Sequence, residues 1–150
     1  MRNHVFKDVE LEAFAHATES PEAVERALHL FAPHARLERE VLGGHFGQSL
    51  VALRALVREP EEIEETIARI RSAVGPQVAR SAARRIDRDL RLHFRFDKQR
   101  AARGEIALDA PPEHDIVKLR IRLRSPGLSR AGAVALVQGE FGGATPREEE

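Results

Sequence analysis

Between Asp115 and Arg124 the chain reads DIVKLRIRLR, and from Val117 onward its side chains alternate without exception. Val117, Leu119, Ile121 and Leu123 are apolar, while Lys118, Arg120, Arg122 and Arg124 are cations. A period of two sends successive side chains to opposite faces of a strand, so this run predicts a strand with one face in a core and one in solvent. Asp89–Asp97 repeats the pattern, with Leu90, Leu92, Phe94 and Phe96 on one face and Arg91, His93, Arg95 and Asp97 on the other. Strands that each bury a single face require a sheet covered on one side only.

The remaining segments supply the cover. Lys7–His16 alternates as a first strand, with Val9, Leu11, Ala13 and Ala15 inward. Ser20 before Pro21 is a helix start, cap and first helical position together, and Val24, Ala27, Leu28 and Phe31 form the apolar stripe of a helix that ends before Pro33. Ala35–Leu42 and Gln48–Arg58 read as an antiparallel hairpin around GGHFG. Pro60 opens a helix with Ile63, Ile67, Ile70 and Val74 inward, and Gly75-Pro76 is expected to break it. A further helix follows, with Val78, Ala82 and Ile86 inward and Arg80, Arg84, Arg85 and Arg88 mostly outward. Gly104–Asp109 is expected to return along the Asp89–Asp97 strand as a hairpin whose turn is DKQR, and Leu128–Gln138 to form a last helix. The expected class is α+β, a two-layer sandwich with a mostly antiparallel sheet, helices on one face and an open basic face. One domain is expected over residues 1–138, followed by a flexible acidic tail over 139–150.

The charge is unevenly placed. The whole chain of 150 residues has 24 basic and 24 acidic side chains. From Pro76 to Ser125, however, thirteen cations face seven acids and leave a local +6. Such a segment is the footprint of a face that meets a polyanion. Other classes find little support. The chain has no Cys, so disulfides and thiolate sites are excluded. The seven His show no metal-ligand spacing, and there is no nucleophile elbow or paired-carboxylate motif, so neither a metal, a cofactor nor a catalytic site is expected. No long uncharged apolar run is present and the first residues lack the pattern of a signal peptide, so the expectation is a cytoplasmic protein with no membrane partner.

Two readings of the cationic rows are open at this level. Like charges in adjacent rows of a sheet repel, so Arg91, Arg95, Lys118, Arg120, Arg122 and Arg124 require either an external anion or acids from neighbouring strands, for which Glu10, Glu12, Glu38 and Glu40 are the candidates. In the DKQR turn, Lys98, Arg100 and Arg103 suit phosphates and Gln99 suits a base edge. At the glycine-flanked tip, His45 and Phe46 either stack on an unpaired base or tuck back onto the hairpin. His16, His45 and His93 with Lys98 would make an acid–base set for RNA cleavage only if the fold brought them together.

Four segments occur in an order that resembles a known family: AFAHATES, GGHFGQSL, LHFRFDKQRAARGEIAL and DIVKLRIRL. The chain is similar, over about Lys7–Leu123, to an archaeal family of predicted RNA-binding proteins linked by inference to the exosome. Asp97, Lys98, Gln99, Ala101 and Gly104 carry the most specific part of the resemblance, and Gly44, His45, Phe46 and Gly47 the next. Phe46, Gln48 and Ser49 stand where the family has Tyr, Asn and Pro; stacking survives that change and a phenolic hydrogen bond does not. The resemblance implies a fold like that of the large-subunit ribosomal protein that binds 5S RNA. It implies RNA as partner, with His45, Phe46 and Gln48 joining the cationic residues in the interface, and exosome or ribosome-related proteins as further partners. Three functions follow in order: RNA binding, a protein-interaction adaptor that uses the open face or an edge, including as a homodimer, and a ribonuclease.

Overall fold

A computed structural model describes residues 5–43, 50–111, 115–124 and 127–142. Its elements, in chain order, are β1 (Phe6–Ala15), α1 (Pro21–Phe31), β2 (Glu38–Leu42), β3 (Leu50–Val57), α2 (Pro60–Arg80), α3 (Ala82–Arg85), β4 (Arg91–Asp97), α4 (Lys98–Ala102), β5 (Ile116–Leu123) and α5 (Arg130–Gly142). The strands form one open sheet in the order β2-β3-β1-β5-β4, with every neighbouring pair antiparallel. Helices cover one face, so the α+β sandwich expected from the alternating runs is the fold observed.

The inward rows fall where the alternation put them. Val9, Leu11, Ala13 and Ala15 of β1 and Val117, Leu119, Ile121 and Leu123 of β5 are all buried, as are Val24, Ala27, Leu28 and Phe31 of α1. Ser20 caps α1 by accepting from the Ala23 N–H, with Pro21 in the first turn. The phenylalanines knit the layers. Phe94 stacks on Phe96 at 5.5 Å, Phe96 meets Phe31 of α1 at 4.5 Å, and Phe94 meets Phe141 of α5 at 6.0 Å.

Four expectations are corrected or sharpened. The interruption expected at Gly75-Pro76 is present as a kink, where non-helical backbone at Val74 (φ −140°, ψ 22°) divides α2 into two helical segments. Proline removes one N–H and clashes with the turn before it, which bends a helix whose flanks are otherwise held. Gly75 lies against α5 so closely that a Cβ there would sit 2.5 Å from the Phe141 carbonyl oxygen. The second concerns DKQR, which is no hairpin turn. Asp97 accepts from the Arg100 N–H at 2.8 Å and caps the short helix α4. Residues 104–109 are not a strand; they touch β4 through a single bridge, Phe96 to Leu108, and the true partner of β4 is β5. Third, Arg85 points inward rather than outward and is 6% exposed. Fourth, residues 139–142 belong to α5, and Phe141 is buried in the core, so the folded unit runs past residue 138. The rest of the expected tail, residues 143–150, lies outside the described residues.

Candidate nucleic-acid interface

Antiparallel register sets the open face row by row. Lys118, Arg120 and Arg122 of β5 stand beside Glu12, Glu10 and Asp8 of β1 on one side and beside Arg95, His93 and Arg91 of β4 on the other. The acids of β1 answer the β5 row. Arg120 is bonded to Glu10, Arg122 lies 3.7 Å from Asp8, and Lys118 lies 4.0 Å from Glu12. Beyond β1, Arg54 of β3 bridges Glu12 at 2.8 Å and Glu40 at 2.6 Å. The centre of the face is therefore a charge lattice, close to the arrangement in which neighbouring acids neutralise the rows. At the β4 edge and around α4 the balance changes. Among the described residues, Arg91, Arg95, Arg100, Arg103 and Arg124 have no carboxylate within ion-pair distance, and all but the half-buried Arg91 are exposed. Among the described residues Arg95 holds only the Ala110 carbonyl, through its Nε at 3.1 Å.

Beside β4 lies a cleft of about 180 Å³ lined by α3, β4, β5 and Asp109. Arg85 is its inner wall. Its Nε donates to Ser81 Oγ at 2.6 Å, its Nη2 donates to both Asp109 carboxylate oxygens at 2.8 Å, and its guanidinium lies 5.6 Å from the centre of the Phe94 ring. Arg84 reaches the same carboxylate from solvent at 3.4 Å. Sequence reasoning missed Arg85. The signal was present, because Val78, Ala82 and Arg85 recur at i, i+4 and i+7 on one helical face.

Asp97, Lys98 and Gln99 each have partners within the protein. Lys98 is buried, and its ammonium donates to the Phe14 carbonyl at 2.6 Å and to Glu19 Oε1 at 2.8 Å. Asp115 lies 3.9 Å from the same ammonium. Gln99 donates to Glu19 at 3.1 Å and to Asp115 at 3.3 Å, so its amide faces acids. Burial alone would raise the Glu19 carboxyl, but the His16 backbone N–H and the Lys98 ammonium outweigh it and hold the group below its ordinary range. His16, Glu19 and Asp115 offer ligand atoms within 4.8 Å of one another. Lys98 already lies against both carboxylates, so the cluster carries its own cation. His16 does come near Lys98, through Asp115 at 3.3 Å, but His93 is bonded instead to Asp87 at 2.7 Å. That bond, after an opposing effect of burial, helps hold Asp87 below its ordinary range. His45, Phe46 and Gln48 lie outside the described residues.

The chain is similar to known proteins over most of its length. The family model described as RNA binding matches residues 8–123. RNA-binding protein PAB1135 of Pyrococcus abyssi is 25% identical over 141 residues, covering 87% of this chain and 90% of that protein. Among solved structures, Mth689 of Methanothermobacter thermautotrophicus, a DUF54 protein, superposes with a TM-score of 0.81 at 23% identity, over 91% of this chain and 98% of that one. AF2318 of Archaeoglobus fulgidus gives 0.77 at 24% identity, over 90% and 99%. These two likenesses establish a shared fold.

Proposed function

We propose, from the premise that the chain belongs to the RNA-binding family whose model spans residues 8–123, that it binds RNA chiefly through phosphates along the β4 flank. One observation carries this reading: Arg95, Arg100 and Arg103 are exposed and lack a carboxylate partner among the described residues, whereas the β5 row is answered by β1. Lys98 has no part in it, because its ammonium is turned into the protein. Gln99, facing two carboxylates, holds the Lys98 cluster together. The β5 cations serve as a second rank, reaching phosphates only as far as their β1 partners release them.

The test is affinity for a short unstructured RNA against salt. Each phosphate contact on a single strand contributes about 0.7 to the slope, so changing Arg95, Arg100 and Arg103 together to Ala should remove about 2. Changing Lys118 and Arg120 to Ala should remove less than the share of a single phosphate. If the triple variant keeps the wild-type slope while circular dichroism shows it folded, the β4 flank is not the RNA face.

One observation favours the adaptor as a second reading. The outer edge of β2 has no strand beside it among the described residues, and Val41 on that strand is 72% exposed. A dimer in solution that dissociates on Val41→Lys would support it. Association with the exosome, which the resemblance implies, is a question for co-purification.

A further inference from the structure

The cleft beside β4 gathers cations from α3, β4 and β5. Arg84, Arg85, Arg95, Lys118 and Arg120 line it with a single carboxylate, Asp109, and Phe94 forms an apolar wall. Fixed cations beside a low-dielectric wall focus the field into the space they enclose. Arg85 is held before any ligand arrives, its side chain 4% exposed and its Nε tied to Ser81. The outer donors are freer. The Arg84 side chain is 66% exposed and reaches Asp109 only at 3.4 Å, and Arg95 commits one nitrogen to a backbone oxygen.

Asp109 occupies the position an oxyanion would take. Both of its carboxylate oxygens lie 2.8 Å from Arg85 Nη2. Its backbone sits at φ 66°, a region that aspartate enters more readily than most residues, and its N–H is fixed to the Arg95 carbonyl at 2.8 Å. A tetrahedral phosphate offers more oxygens than a planar carboxylate and suits the convergent forks of Arg84 and Arg95.

We propose that this cleft seats one phosphate of the bound RNA, and that the Asp109 carboxylate holds the seat in the unliganded protein. The inference rests on the RNA-binding reading and adds a particular pocket and an internal competitor to it.

Asp109→Asn and Arg84→Ala test it. Each is compared with wild type in two measurements: thermal melting with inorganic phosphate against chloride at matched ionic strength, and affinity for a short unstructured RNA as salt is varied. Asp109→Asn should melt lower in chloride, because Arg85 loses its anion, and phosphate should raise its melting temperature more than that of wild type. Its RNA affinity should rise about fivefold, the weight of one close like-charge interaction in water. Its salt slope should stay at the wild-type value, because the cleft holds the same one phosphate in both proteins. Arg84→Ala leaves the Arg85–Asp109 pair in place and should lose the phosphate effect together with about 0.7 of slope. If Asp109→Asn is destabilised but shows neither a larger phosphate response nor a higher RNA affinity, Asp109 is only a structural partner of Arg85 and the inference is overturned. If that variant does not fold, an Arg84→Ala protein with wild-type phosphate response and slope overturns it alone. Loss of slope in the Arg95/Arg100/Arg103 variant with no change in these two would sink the seat and leave the RNA face standing. A wild type that shows no salt-dependent affinity would sink the broader reading.

Discussion

Lys98 lies in the middle of the most basic stretch of the chain and yet meets no solvent. An ammonium is expensive to bury, and here the Phe14 carbonyl and Glu19 compensate it at 2.6 and 2.8 Å. Removing one partner of such a pair strands the other, so Lys98→Met should cost about 3 kcal/mol, read from the midpoint of urea unfolding. The linked pH dependence has a definite sign. Glu19 is depressed in the folded state from an ordinary value of 4.5, so its contribution is complete above that value and disappears as pH falls through the folded one. In Lys98→Met that acid limb should flatten. None of this was legible in the sequence, because Glu19 and Lys98 are 79 positions apart and no local pattern joins them. The alternation that sorts Lys118 from Leu119 is local, which is why the outward rows were legible and the inward lysine was not.

At the level of elements, legibility followed periodicity. β1, α1, β4 and β5 were readable because each keeps one period from end to end. α4 was not, because its five residues complete barely more than one turn, and Asp97 closes a strand pattern while serving as the cap of a helix. The interruption of α2 was legible because Gly-Pro signals it locally, and the non-helical backbone at Val74 divides the element into two helical segments. Two glycines separate packing from propensity. Gly75→Ala would place a methyl 2.5 Å from the Phe141 carbonyl oxygen, and backbone cannot step aside cheaply, so about 2 kcal/mol of destabilisation is expected. Gly139 in α5 is exposed with nothing within 4 Å of a Cβ, so Gly139→Ala should instead stabilise by about 0.5–1 kcal/mol. Thermal melts of the two variants should therefore move in opposite directions. A Gly75→Ala melt that rises as that of Gly139→Ala does would mean that α5 does not pack on α2 as described.

Across the whole molecule, formal neutrality conceals a division of labour. Acids on β1 screen the middle of the open face and leave the β4 side positive, so the net charge of zero says nothing about what a phosphate chain would meet. Changing Glu10 and Glu12 together to Gln should free the β5 row. Affinity for any RNA should rise irrespective of sequence, with a slope steeper by about 1.4 for two further phosphates. An unchanged slope would mean that RNA never reaches the centre of the sheet. The same topology also orders events in time. β1 is the middle strand, and its two neighbours are residues 50–57 and 116–123. A chain growing from the ribosome therefore presents β1 first and must carry one bare edge of it through the synthesis of nearly the whole fold. Until Leu123 emerges, the hydrogen-bonding groups of β1 on that side have only solvent or a chaperone to satisfy them, so this protein is most exposed to mispairing in the moments before its last strand arrives.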